Sequence, residues 1–264
     1  MINVGIVFTE KLKKKLSTGV VMASDRSAHY MLTKNIRIPT FRILKEEEPA
    51  VVLTGYGESA ILSDYELKIA EFFLQNNIVD CRSFKNKFPL LYRQLAEMSQ
   101  FYIHLQGKGN AGVIADFLLG ISDEKGLGLL YYFMITSQGF SLEELTNVPG
   151  FGVTFGGSNE VLMLLEELLK DPYIGEREAI EYAVFILQAV KDITPNMSSQ
   201  LDVVVLKKGK VGIIPDEELD KMGLKAHVYA RWRAIYTMLF DILKEPSIAG
   251  NVIEGIKSIG GEQK

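Results

Sequence analysis

Cysteine is almost absent from this 264-residue chain: Cys81 is the only one. A lone thiol excludes an intramolecular disulfide and any cysteine-based zinc site. Histidine is nearly as scarce. His29, His104 and His227 are scattered, with no His-x-x-x-His or His-Glu-x-x-His spacing, so only folding proximity could bring them into a metal site. No apolar run approaches the roughly 20 residues that a membrane-crossing helix needs. The order of a secretory leader is missing too, because the lysines follow the apolar stretch Val4 to Phe8 instead of preceding it. Excess positive charge is likewise missing, and a net charge of -4 argues against a nucleic-acid partner held by phosphate neutralisation. What remains is 47% hydrophobic and 23% charged residues. That balance describes a soluble globular protein with a substantial core, expected to be cytoplasmic, without cofactor, nucleic acid or membrane.

Repeats, low-complexity segments and Pro/Gly/Ser linkers are also absent. The economical division is one domain over 1–215 and a helical C-terminal extension over 216–264. The first third reads as strands at Ile2 to Phe8, Gly19 to Ser24, Ala28 to Thr33, Thr40 to Leu44 and Ala50 to Thr54. Glu10 to Ser17, rich in lysine, is expected to be a charged hairpin loop with a solvated tip. Gly55-Tyr56-Gly57 is expected to break the sheet. Helical spacing follows, with Ser59 as a cap and Leu62, Tyr65, Ile69 and Phe72 on one face. A second helix is predicted over Ser83 to Tyr102, with Phe84, Phe88, Leu91, Leu95 and Met98 inward.

The middle returns to strands at Gly112 to Ile121 and Leu127 to Ile135, joined by a polar turn. Phe151 to Phe155 is a short strand, followed by helices from Glu160 to Lys170 and from Glu176 onward. In the latter, Ile180, Ala183, Val184, Leu187 and Val190 face inward. Leu201 to Leu206 and Val211 to Ile214 form a last hairpin. Beyond Asp216, Val228, Trp232, Ile235, Leu239 and Leu243 make an apolar helical stripe, with Arg231, Arg233 and Asp241 facing elsewhere. Two sheets, each covered by a helix pair, would bury both apolar faces.

Several stretches together carry a resemblance. Met1-Ile2-Asn3-Val4-Gly5, followed by Gly19-Val20-Val21-Met22-Ala23-Ser24-Asp25-Arg26-Ser27, resembles the start of a proteasome β-subunit, Thr-Thr-x-Val-Gly and then Gly-Val-Val-x-Ala-x-Asp-x-Arg. Thr54-Gly55-Tyr56-Gly57, Gly120-Ile121-Ser122-Asp123-Glu124-Lys125-Gly126, Val153-Thr154-Phe155-Gly156-Gly157-Ser158 and Asp202-Val203-Val204 agree with later motifs of that family in order and spacing. The resemblance covers roughly residues 1 to 220. It implies a four-layer αββα sandwich of the N-terminal nucleophile hydrolase superfamily. Fold alone does not establish function.

In that family a threonine hydroxyl is activated by the α-amine of the same residue, whose free pKa is about 7.7–8.0. A lysine tunes the site, an aspartate orients the lysine, and a Gly-rich turn donates N–H groups to the oxyanion. Carried over position by position, the nucleophile falls on Met1, whose thioether is no acyl acceptor. The aspartate is present as Asp25. The lysine position falls on Pro39, with Lys34 or Arg42 as substitutes in another register. Asp192 stands for the later supporting aspartate, and Gly156 and Gly157 for the oxyanion turn. Asp25 also has a plainer reading, a carboxylate satisfying backbone donors at a strand end. Processing before Thr18 or Thr9 would supply a hydroxyl but remove much of the first strand. Cys81 is expected to be inert, and Gly150-x-Gly152 is too incomplete for a phosphate loop.

The resemblance therefore implies a non-catalytic proteasome-homologous subunit in a homo- or hetero-oligomer. Its partner would be a second copy, a proteasome-related protein or one resembling a proteasome-assembly chaperone. The alternative is a threonine-type peptidase or transpeptidase with a displaced or processed nucleophile. A small-molecule module in the remnant cleft is a third possibility.

Overall fold

Two short, largely apolar runs, Ile2 to Phe8 and Gly19 to Ala23, make the first hairpin. The computed structural model describes residues 2–12, 15–25, 41–105, 113–145, 151–153, 174–193 and 200–224. Strand β1 (Asn3–Leu12) pairs with β2 (Lys15–Asp25), Asn3 lying opposite Ser24 and Leu12 opposite Lys15. The Lys-rich stretch from Glu10 to Ser17 is thus strand on both sides of Lys13 and Lys14, not a loop. Its backbone and polar groups have partners that periodicity alone does not reveal. Thr18 N–H donates to the Gly126 carbonyl at 2.8 Å, the Ser17 hydroxyl to the same oxygen at 3.2 Å, and Glu10 pairs with Lys207 at 2.5 Å.

Strands β3 (Arg42–Lys45) and β4 (Ala50–Gly57) follow. The expected break at Gly55-Tyr56-Gly57 does not occur, because these residues pair with Phe117, Asp116 and Ala115. Glycine serves close approach here: a Cβ on Gly55 would lie 2.7 Å from the Phe117 ring and 2.8 Å from the Asp116 carbonyl oxygen. Helix α1 (Ser59–Gln75) begins at Ser59, but Glu58 occupies the cap position and no side chain caps it. Helix α2 (Cys81–Leu105) extends the predicted span at both ends. Its cap is reciprocal: Ser83 N–H donates to the Asp80 carboxylate at 2.7 Å, and Asp80 N–H to the Ser83 hydroxyl at 3.0 Å.

Strands β5 (Val113–Ser122) and β6 (Gly128–Thr136) form the expected hairpin. Strand β7 (Gly139–Glu144) was not foreseen, although Phe140 and Leu142 alternate with Ser141 and Glu143. Then come β8 (Phe151–Val153), α3 (Glu176–Ile193), β9 (Leu201–Lys207), β10 (Lys210–Ile214) and α4 (Asp216–Lys221). The expected strand Ala28 to Thr33, the helix Glu160 to Lys170 and the stripe from Val228 lie outside the described residues.

The strands make two antiparallel five-stranded sheets, ordered β10-β9-β2-β1-β8 and β3-β4-β5-β6-β7. Each strand sends alternate side chains to opposite faces, and three apolar clusters result. Ile2, Val4, Ile6, Val21 and Val203 of the first sheet pack on Ile180, Ala183, Val184 and Leu187 of α3. Leu53, Phe117, Leu119 and Phe133 of the second sheet pack on Tyr65, Ile69 and Phe72 of α1 and on Phe84 and Leu91 of α2. Between the sheets, Val7, Val20, Met22 and Val204 meet Ala50, Val52, Leu118 and Leu130. The described chain is a mixed α/β fold with two antiparallel sheets and four helices, consistent with a sandwich.

Candidate functional site

Asp25 ends β2 opposite Leu201, the first residue of β9, and is fully buried. Its carboxylate accepts the backbone N–H of Ile2. Its own N–H donates to the Ile2 carbonyl at 3.2 Å, and the Ser24 hydroxyl donates to the Asp25 carbonyl at 3.2 Å. A buried carboxylate is costly unless it is hydrogen-bonded, and bonds to an ionised acceptor are among the strong ones. The strand-end role expected for Asp25 is therefore present.

The next residue along β1 after Ile2, Asn3, shares the phase of Val7 and so faces the second sheet. Its amide oxygen accepts the Thr54 hydroxyl of β4 at 2.7 Å, and both residues are buried. On the same face of the second sheet, Leu118 lies opposite Thr54 and Asp116 opposite Tyr56. The Tyr132 hydroxyl donates to the Asp116 carboxylate at 3.3 Å. Burial, then the Asp116 charge, holds the Tyr132 phenol well above its usual value. The apolar filling between the sheets thus gives way at one end to Asn3, Ser24, Thr54, Asp116 and Tyr132.

Of the six positions carried over for the cleft, Asp25 is the one described with its side-chain contacts. Asp192 lies in the last turn of α3. Met1, Pro39, Gly156, Gly157 and the substitute Lys34 lie outside the described residues. The described chain around several of them converges nonetheless: β1 starts at Asn3, β2 ends at Asp25, β8 ends at Val153 opposite Val4, and β9 starts at Leu201. Arg42, the other substitute, is engaged elsewhere, its guanidinium 3.2 Å from the Glu66 carboxylate of α1.

Thr9 and Thr18 face each other far along the hairpin. Seven residues of strand separate Thr18 from Asp25, about 23 Å, and the Thr18 hydroxyl accepts Gly128 N–H at 2.8 Å. Neither hydroxyl is near the carboxylate. Cys81 is buried at the start of α2, its thiol donating to the Leu127 carbonyl at 3.2 Å. Burial and neighbouring Asp123 push that thiol far above its ordinary value, which suits the inert role. Gly152 is strand, paired with Gly5. Among the described residues no group of three or more His, Cys, Asp or Glu side chains could hold a metal ion, and no helix is long and apolar enough to cross a membrane.

Sequence reasoning missed Asn3, Thr54, Asp116 and Tyr132. The available signal was a polar residue at a core-phase position of an otherwise apolar strand.

No protein-family model matches the sequence, and no curated protein matches it. Among solved structures the fold is similar to Anbu (ancestral beta-subunit) from Yersinia bercovieri, at 16% identity and a TM-score of 0.61. The similarity covers 90% of this chain and 97% of that one. It shows a proteasome-like fold.

Proposed function

We propose that this chain is a non-catalytic proteasome-homologous subunit of a homo- or hetero-oligomeric assembly. Its body would be the four-layer αββα sandwich, with 216–264 as a helical extension. The carrying observation is the bond from Ile2 N–H to the Asp25 carboxylate. It supports the reading because it ties Ile2, next to the nucleophile position that the resemblance assigns to Met1, to the acidic position that it assigns to Asp25. Met1, Ile2 and Asn3 carry neither hydroxyl nor thiol, and the chemistry needs one on the residue whose amine serves as base.

Assembly has its own support. Leu67 and Leu74 of α1 are 62% and 83% exposed, and Phe101 and Leu105 of α2 are 62% and 68% exposed. Spacings of seven and four put each pair on one helix face. Exposed apolar side chains paired on a helix face in this way are ones that a protein partner would cover.

Native mass spectrometry at micromolar concentration, together with an electrophilic peptide probe, tests the reading. Oligomers without probe labelling are expected. A monomer with no co-purifying partner would count heavily against it. The buried Asp25 also suits a peptidase or transpeptidase. N-terminal sequencing that finds a homogeneous threonine or serine start, with probe labelling, would put that reading in its place.

A further inference from the structure

Beside the first turns of α3, a groove runs between that helix and α4, with Thr9 and Glu10 of β1 along it. Its floor is apolar: Ile180, Ile214, Met222 and Leu224. Met222 is 47% exposed. The rim carries Glu10, Glu176, Glu178 and Glu218, with Arg177 among them. Lys207 holds Glu10 at 2.5 Å and Glu176 at 2.6 Å, and Glu178 accepts Gly175 N–H at 2.8 Å. Three of the four carboxylates are therefore fixed in place before anything binds.

What the chain does next bears on the occupant. Gly223, at φ +67°, closes α4, its N–H donating to the Asp220 carbonyl at 2.9 Å. A left-handed residue at that position ends a helix, and Leu224, the last described residue, lines the groove. The sequence that follows has the complementary chemistry. Within 228–243, Val228, Trp232, Ile235, Leu239 and Leu243 recur at steps of four, three, four and four, and Arg231 and Arg233 outnumber Asp241.

We propose that residues 228–243 of the same chain dock in this groove. The stripe lies on Ile180, Ile214 and Met222, and the basic residues lie along the glutamate rim. Charge complementarity favours this occupant, since four glutamates against Arg177 and Lys207 leave the rim net acidic, and such a rim fits a basic amphipathic segment better than a neutral or acidic one. The inference rests on the reading of 216–264 as a helical extension, not on the absence of catalysis.

Trp232 is the only tryptophan, so its emission reports on the segment in the intact chain. A nitroxide label that quenches by contact, attached to Arg177→Cys, would sit on the rim, where Arg177 is 79% exposed. Buried Cys81 stays unlabelled. Loss of Trp232 emission is expected with this label, and no loss with the same label at Leu74→Cys on the outer face of α1. Met222→Glu, or Glu218→Arg if the first variant fails to fold by circular dichroism, should shift the emission to the red and reverse the quenching. Unquenched emission from the Arg177→Cys label, or emission indifferent to both groove variants, overturns the proposal. Quenching that vanishes on dilution also overturns it, by assigning the groove to a second copy. Activity plays no part in the readout, so failure here leaves the functional reading standing.

Discussion

The carboxylate of Asp25 accepts the backbone N–H of Ile2, tying the last residue of β2 to the residue before β1. The two ends of a long hairpin are thereby locked by one buried bond. Asp25→Ala would strand a buried amide and is expected to cost about 1–3 kcal/mol. Asp25→Asn keeps an acceptor and should cost less. Urea unfolding reads both, with the midpoint falling while the slope stays constant.

Thr54 and Asn3 join the two sheets at 2.7 Å. Thr54→Val keeps the shape and removes the donor, for an expected loss of about 1 kcal/mol. Hydrogen exchange should locate the effect, with amides near Asn3 and Ser24 exchanging faster than in the parent while those near Gly128 are unchanged.

Asp80 caps α2 and meets Lys125 at 2.5 Å. The bond to Lys125 first, then the Ser83 backbone, holds its carboxyl down at about 2. A carboxylate lowered on folding stabilises above its unfolded value, near 3.9, and that contribution is lost as pH falls towards 2. Asp80→Asn should therefore flatten the fall in melting temperature across this acid window. Asp80→Ala should also remove the cap, at about 1 kcal/mol.

Much of this architecture was legible in the sequence, for a physical reason. Strands buried on both faces read as short apolar runs and helices with one buried face keep a spacing of three and four, so β1, β5, α1 and α3 announce themselves through residues such as Val4, Leu119, Ile69 and Val184. The failures share a cause. The arms from Glu10 to Ser17 look like a loop because lysines crowd the sequence there, yet β1 and β2 stay paired as far as Leu12 and Lys15. Gly55 and Gly57 look like breakers because glycine usually is one, yet there they admit a neighbouring strand. At the site, Asp25 was readable from its motif. Asn3 and Thr54 were not, because their meaning lies in a pairing across 51 positions that no local pattern encodes.

Lys207 bridges Glu10 and Glu176. Burial alone would pull its ammonium down, but the two carboxylates outweigh that and hold it above the ordinary lysine value. A cation raised on folding contributes fully below its unfolded pKa and loses that contribution as pH rises through the folded one. Lys207→Met should cost about 1 kcal/mol near neutral pH and remove part of the alkaline destabilisation above pH ~10, as followed by thermal melts.

Leu74→Glu combined with Phe101→Glu should dissociate the proposed assembly without changing the unfolding free energy of the isolated chain by more than about 0.5 kcal/mol. Sedimentation velocity reads the first effect and denaturation the second. A shared loss of both would mean that these residues serve the fold.

Gly19 and Gly128 bring the two sheets together so closely that a methyl group on Gly128 would fall 2.8 Å from the Gly19 Cα. Backbone touches backbone there, reinforced by the bond from Thr18 to Gly126. The sandwich is thereby given a fulcrum. The sheets meet there through backbone, whereas at the other end a side-chain bond, Thr54 to Asn3, joins them, so a hinge between them would lie at the glycine margin.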